Sequence, residues 1–369
     1  MELSLLMKAF DVSGRLVTIN PTGNGNVNDT FLAIFRNTFA EEQVIVQRVN
    51  PAVFPKPEAI MHNLHCLTAH VHPKLEAEAD TSDRVWQMPR IVKTRDGKDF
   101  FRDNVGNVWR VITKIASATA FDEAQNAEHA AECGAVLGHF HWLVSDLDPQ
   151  MMIDPLPGFH ITPGYLNKYD ATLAEVPLAQ NRLNASMEAR RMAMFIEERR
   201  GFAATLQKAL DAGELKLRMM HGDPKVNNIL IDDFTGKGTA VIDLDTVSPG
   251  LIHYDFGDAL RSICNHAGED EQNLSKVVFD LDLCAAFCKG YMTHARSFLT
   301  EADRKYLYDA IRLITFELGL RFFQDYLAGS VYFKIRHPEQ NLNRARVQFR
   351  LCESIEARER PIRDLLAGL

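Results

Sequence analysis

Through the first third of the chain, short apolar runs alternate with turn residues. Leu16 to Asn20, Thr30 to Phe35 and Val44 to Asn50 are strand-like, Val85 to Asp103 reads as strands around an Asp96-Gly97 turn, and Asn107 to Ile112 as one more strand. A helical stretch from Pro57 to Val71 interrupts them. After about residue 118 the apolar spacing lengthens to the helical three or four. Glu123 to Val144 carries Ala131, Val136, Leu137, Phe140 and Leu143 at such intervals, with His139 and His141 near its end. Met187 to Ala212 reads as one helix, and Asp303 to Leu327 repeats Leu307, Ile311, Ile314 and Leu318. Gln348 to Leu369 is charged and helical, which predicts packing on the outside of the molecule. The pattern predicts an α+β protein in two lobes: a small one with an antiparallel sheet over residues 1–112, a hinge at 113–117, and a larger, mostly helical one over 118–369.

One stretch departs from the helical pattern, and it holds the candidate chemistry. Between Met219 and Asp258 two strand-like runs, Ile229 to Ile231 and Ala240 to Ile242, flank the turn-rich segment Asp232-Asp233-Phe234-Thr235-Gly236-Lys237-Gly238. Polar residues stand at the mouths of this hairpin: His221-Gly222-Asp223 and Asn228 ahead of it, Asp243 after it. Phosphoryl transfer needs such a layout, because one carboxylate orients the attacking hydroxyl while a second carboxylate and an amide oxygen hold a magnesium ion. His221-x-Asp223-x-x-x-x-Asn228 matches the spacing of the protein-kinase catalytic loop. Asp243, set among Val241, Ile242 and Leu244, is expected to be buried and therefore to need a cation. Further on, His253-Tyr254-Asp255-Phe256-Gly257-Asp258 also spells D-F-G. Its Asp lies 32 residues past Asp223 whereas Asp243 lies 20 past it. The metal is assigned to Asp243, and Asp255 is expected to accept backbone N–H bonds from the catalytic loop.

With these residues the chain resembles the aminoglycoside phosphotransferase and choline kinase superfamily, small-molecule kinases of protein-kinase-like fold. Within it the likeness is greatest to the N-acetylhexosamine 1-kinases. It runs from about residue 20 to about 350 and rests on Asn227-Asn228-Ile229-Leu230, Ile242-Asp243-Leu244-Asp245-Thr246, Pro249-Gly250, Asp255-Phe256-Gly257-Asp258, Gly23-x-Gly25, Val44 to Asn50, and Arg321-Phe322 through Tyr332-Phe333. The resemblance implies a bilobal protein-kinase-like fold that uses ATP and Mg²⁺, with Asp223 as the residue that orients the acceptor hydroxyl. Asn228 and Asp243 would be the metal ligands, and Lys225 a cation beside the moving phosphoryl group.

The small lobe fits this pattern incompletely. Gly23, Asn24 and Gly25 sit where a glycine-rich loop would cradle phosphates, but the third glycine position is Asn28. In Val44 to Asn50 the place of the phosphate-binding lysine is taken by Gln47, a candidate phosphate or backbone contact. Thr113 and Ile115 fall at the hinge, where an adenine would bond backbone groups. Arg321 and Asp325 continue the apolar stripe of their helix, as an internal ion pair or as the mark of a cleft. The resemblance favours a cleft in which Arg321 and the ring of Tyr332 meet a sugar.

Composition narrows the classes. A chain of 369 residues with 46% hydrophobic content can bury a large core. No apolar run approaches the roughly 20 residues of a membrane span, the start Met1-Glu2-Leu3-Ser4 has no basic and apolar leader, and a cytoplasmic enzyme is expected. A net charge of −8 without a dense basic run argues against a nucleic-acid partner. Six scattered cysteines without a C-x-x-C argue for reduced, buried thiols. No G-x-x-x-x-G-K-[ST] occurs, which removes the P-loop class. The resemblance makes the anomeric hydroxyl of an N-acetylhexosamine the expected acceptor. Aminoglycoside, choline or ethanolamine, homoserine and methylthioribose kinases stay open, as do a pseudokinase-like binding protein and both a monomer and a dimer.

Overall fold

Six strands of the first third build one antiparallel sheet in the computed structural model, which describes residues 2–23, 27–80, 82 and 84–369. They are β1 (Arg15–Pro21), β2 (Asp29–Arg36), β3 (Glu41–Arg48), β4 (Ile91–Val92), β5 (Phe101–Arg102) and β6 (Val108–Thr113), ordered β1-β2-β3-β6-β4 with β5 also on β6. Period-two alternation decides the faces. Ala33, Phe35, Val44, Val46, Trp109 and Val111 point to one side, where Leu6, Met7 and Phe10 close a small core. Gln47 and Arg110, paired opposite each other in the ladder, belong to the other face. Residues 85–103, expected to be strands, hold only the two-residue β4 and β5. The turn there forms as expected, with Gly97 at φ +81°.

The helix Pro57–Glu78 runs longer than its apolar spacing suggested, and Met61, Leu64, Leu67 and Val71 insert into the large core of the helical lobe. That core is centred on the helices Ala127–Leu143 and Leu281–Ala295. Gly134 and Gly138 do not break the first of these. A Cβ on them would stand 2.0 Å from Phe287 O and 2.4 Å from Tyr291 O, and one on Gly290 1.8 Å from Ala131 O. Glycine on both sides is what lets the two backbones touch. Cys133, Cys264, Cys284, Cys288 and Cys352 are buried.

Two expectations need correction. Residues 187–212 form two helices, Met187–Arg199 and Thr205–Asp211, because Gly201 sits in a short turn between them. The C-terminal stretch is not peripheral: in the helix Gln340–Glu356, Gln348, Phe349, Leu351 and Cys352 are buried, packed against the long helix Leu307–Ala328. Its charged residues lie off this buried stripe, and Glu356 pairs with Arg312 of the long helix and with Arg199. Among the described residues no helix is long and apolar enough to cross a membrane.

Candidate active site

Four short strands carry the site between the lobes. β8 (Arg218–Met220) pairs antiparallel with β11 (Ser248–Gly250), and β9 (Ile229–Asp232) with β10 (Gly238–Val241) as the expected hairpin, whose outer strand is β7 (Ala118–Ala120). The loop leaving β8 is pinned by buried groups. Asp255 accepts the N–H of His221 at 2.5 Å and of Gly222 at 2.7 Å, and meets His141 Nε2 at 2.8 Å. Asp255 therefore has the loop-holding place expected of it. Burial alone would raise its pKa, but the bond to His141 and the nearby His221 hold it below the usual carboxylate range. His221 is kept neutral by burial, consistent with Nε2–H donating to Ile242 O at 2.9 Å and Nδ1 accepting from Asp223 N at 3.2 Å. Gly222 has φ +88°, and a Cβ there would lie 2.8 Å from Thr246 Cβ, so only glycine fits.

These constraints bring Asp223, Lys225, Asn228 and Asp243 to one place. Lys225 Nζ is 2.6 Å from Asp223 Oδ2, and the pair is partly open to solvent. Asn228 Nδ2 donates to Asp223 O at 2.8 Å and to Oδ2 at 3.2 Å, which leaves its Oδ1 as the end available to a cation. Asp243, two residues past the end of β10, has the left-handed conformation, φ 65° and ψ 56°. This corrects the expectation of a buried side chain. Val241 and Leu244 are buried, but the left-handed turn swings Asp243 out of the strand and into contact with solvent. Protein still surrounds it closely. That enclosure, then the carboxylates of Asp245 and Asp223, raise its pKa to about 6, while Lys225 and Arg110 pull the other way. The same two neighbours, Asp223 and Asp243, hold Lys225 above its ordinary value against the effect of burial.

A crowded set of carboxylates favours a cation. Among the described residues no group of three His, Cys, Asp or Glu could hold a metal alone. Magnesium needs less, since it keeps waters and takes one or two protein carboxylates plus phosphate oxygens. Asp243 with Asn228 Oδ1 fits that demand.

On the nucleotide side, Asn24 and Gly25 lie outside the described residues. Gly23 is described, with φ +75° and open space where a Cβ would stand. Both ends of the Gln47 amide are taken by protein: Oε1 accepts from Arg110, and Nε2 donates to Thr30 Oγ1 at 3.2 Å. Thr113 exchanges backbone and hydroxyl bonds with Arg90 at 2.9 Å. Ile115, at the expected hinge, is buried in a small apolar cluster with Leu230 and Ala240, against which Ala118 and Ile242 pack.

On the opposite side, Arg321 does not pair with Asp325. Asp325 accepts the N–H groups of Val331, Tyr332 and Phe333 at 2.8–3.0 Å and so shapes the loop that follows its helix. Arg321 instead approaches Glu317 at 4.0 Å and lies among three rings, 5.1 Å from Phe159, 5.0 Å from Tyr165 and 5.7 Å from Phe333. Burial opposes its charge, but Tyr165, Glu317, Tyr332 and Asp223 lie close enough to support it, and Lys168 is 6.0 Å from the Tyr332 ring. Glu317 is fixed by Thr162 Oγ1 at 2.6 Å and His160 Nδ1 at 2.9 Å, and His160 Nε2 reaches Gly222 O at 2.8 Å. Both ring nitrogens face acceptors, so His160 is an imidazolium. Burial opposes the proton, but Glu317 outweighs it and raises the pKa. None of Phe159, His160, Tyr165 or Glu317 was singled out from sequence. The signal was weak: a histidine in a proline-rich segment and a glutamate on an apolar helix.

This geometry is that of a phosphotransferase. The chain belongs to the phosphotransferase enzyme family, whose model matches residues 18–291. Solved structures share the bilobal protein-kinase-like fold over nearly the whole chain. One is a microcompartment-associated aminopropanol kinase, with a TM-score of 0.55, 17% identity, and 98% of each chain covered. Another is a choline kinase from Cryptosporidium parvum, with a TM-score of 0.59, 12% identity, and 98% of this chain and 96% of that one covered. A third is a spectinomycin phosphotransferase in complex with ADP and spectinomycin, with a TM-score of 0.54, 14% identity, and 97% of each covered.

Proposed function

We propose that the protein is an ATP- and Mg²⁺-dependent kinase that transfers the γ-phosphate to a sugar hydroxyl, with the anomeric hydroxyl of an N-acetylhexosamine as acceptor. The observation that carries the kinase reading is the convergence of Asp223, Lys225, Asn228 and Asp243 at one mouth of the β9–β10 hairpin. Residues 1–112 then cover the nucleotide, 113–117 form the hinge, and 118–369 supply catalytic loop and acceptor site. Asp223 orients the acceptor hydroxyl and takes its proton as the oxygen attacks. Lys225 offsets charge on the moving phosphoryl group. Asp243 and Asn228 would hold Mg²⁺, which supplies charge neutralisation on the phosphates when bound.

The acceptor follows from what fills its site. An aromatic cage of the kind that takes a quaternary ammonium is here occupied by the chain's own Arg321, and Lys168 adds a second cation nearby. Positive charge disfavours choline, amino alcohols and aminoglycosides, while guanidinium donors and ring faces suit hydroxyls and an acetamido group. A coupled ADP-release assay with N-acetylglucosamine, N-acetylgalactosamine, choline and kanamycin tests this. Turnover of an N-acetylhexosamine to a 1-phosphate, identified by ³¹P NMR, is the expected result. Turnover of choline or kanamycin with none of either sugar overturns it.

A further inference from the structure

Two departures from the kinase pattern, Gln47 in place of lysine and Asn28 in place of the third glycine, meet in one bonded chain of side chains. In the antiparallel ladder Gln47 stands directly opposite Arg110, so both project from the same sheet face. The Arg110 guanidinium donates to Gln47 Oε1 through Nε at 3.0 Å and Nη2 at 2.7 Å, and Nη2 also bonds the Asp245 carboxylate. The other Asp245 oxygen accepts from Asn28 Nδ2 at 2.6 Å, and Asn28 Oδ1 accepts the Asn50 N–H at 3.0 Å. Arg110 and Asp245 side chains are 3% and 4% exposed. Asp245 is two residues from Asp243.

We propose that Arg110 is the cation that faces the nucleotide's phosphates in this protein, doing from β6 what a lysine on β3 does in protein kinases, with Gln47 and Asp245 aiming it. The inference rests on the ATP-dependent reading above. Three features argue for it. A lysine at position 47 would set two like charges side by side in the ladder, whereas the neutral glutamine orients the guanidinium without competing for phosphate. The guanidinium is a planar fork with five N–H donors; Nε and Nη2 are engaged, and Nη1 has no partner among the described residues. A glycine at position 28 would remove the second anchor of Asp245. The network thus ties the end of the glycine-containing loop, the sheet and the Asp243 turn to one buried cation.

The alternative is a purely structural latch between sheet and turn. Calorimetry separates the two on the full chain with adenosine, ADP and MgATP, using wild type, Arg110→Lys, Arg110→Gln and the double variant Arg110→Gln/Asp245→Asn. The double variant strands no buried charge. Adenosine affinity is expected to stay within about threefold throughout, while ADP and ATP bind about 10- to 100-fold more weakly to both glutamine variants. Arg110→Lys should lie between these and wild type. A double variant that binds ADP as tightly as wild type, or one that loses adenosine equally, overturns the proposal. Wild type that binds no adenine nucleotide would sink the ATP-dependent reading itself, and this inference with it.

Discussion

Glu317→Gln isolates the buried link between the catalytic loop and the acceptor side. Glu317 and His160 side chains are 1% and 5% exposed, and the imidazolium bridges Glu317 to Gly222 O. Removing one partner of a buried, hydrogen-bonded ion pair costs about 3 to 5 kcal/mol. Here the low end applies, because His160 can shed its proton rather than remain as a stranded charge, and the introduced amide still meets Thr162. We expect a loss of about 3 kcal/mol at pH 6. With unfolding entropies of about 2.1 cal/mol/K per residue, a chain of 369 residues then melts about 4 °C lower. The pH dependence fixes the cause. His160 has a folded pKa above its ordinary 6.5, so its pairing contributes fully below pH 6.5 and is lost as pH rises through the folded value. Above that value Nδ1 turns a lone pair toward the Glu317 carboxylate, whereas the amide introduced by Glu317→Gln can donate to it. Urea denaturation followed by circular dichroism at pH 6 and pH 9 should therefore show the gap closing at pH 9. A gap of equal size at both pH values, or none at pH 6, refutes the imidazolium assignment.

Three further predictions address the site directly. Asp223→Asn should lower kcat by about 10³-fold with MgATP affinity nearly unchanged, whereas Asp243→Asn, which suits the left-handed backbone, should change the metal-free stability by no more than about 1 kcal/mol because the side chain is solvent-open and abolish the Mg²⁺-dependent rise in melting temperature with ATP; differential scanning fluorimetry and steady-state kinetics read both, and retained turnover in Asp223→Asn removes it from its role. Arg321→Ala should raise KM for the sugar about 10- to 100-fold while leaving KM for MgATP flat, and by emptying the cage of Phe159, Tyr165 and Phe333 should make tetramethylammonium a competitive inhibitor that wild type ignores.

What was legible in the sequence was whatever is written locally. The hairpin, its turn, the spacing from His221 to Asn228 and the position of Asp243 are fixed by neighbours along the chain, and they were placed within a residue or two. The exposure of Asp243 was not, because a left-handed turn at a non-glycine residue leaves no mark in an apolar run. The partner of Arg321 was left open for a related reason. Glu317 and Asp325 are both one helical turn away, and only the loop at 331–333, folding back to claim Asp325, decides between them.

The long-range network was harder still, though part of it left a trace. Arg110 is the single charged residue in Val108-Trp109-Arg110-Val111-Ile112, and a buried strand does not carry a guanidinium without a carboxylate to meet it. That oddity could have been paired with the missing lysine at Gln47, because adjacent antiparallel strands place their residues face to face. The partner itself, Asp245, lies 135 positions away, and nothing local distinguishes it from the other aspartates of its loop. Departures from a family's pattern are thus informative in pairs. A lost charge on one strand and a gained charge on its neighbour describe one relocated function, and the ladder register that relates them follows from the sheet.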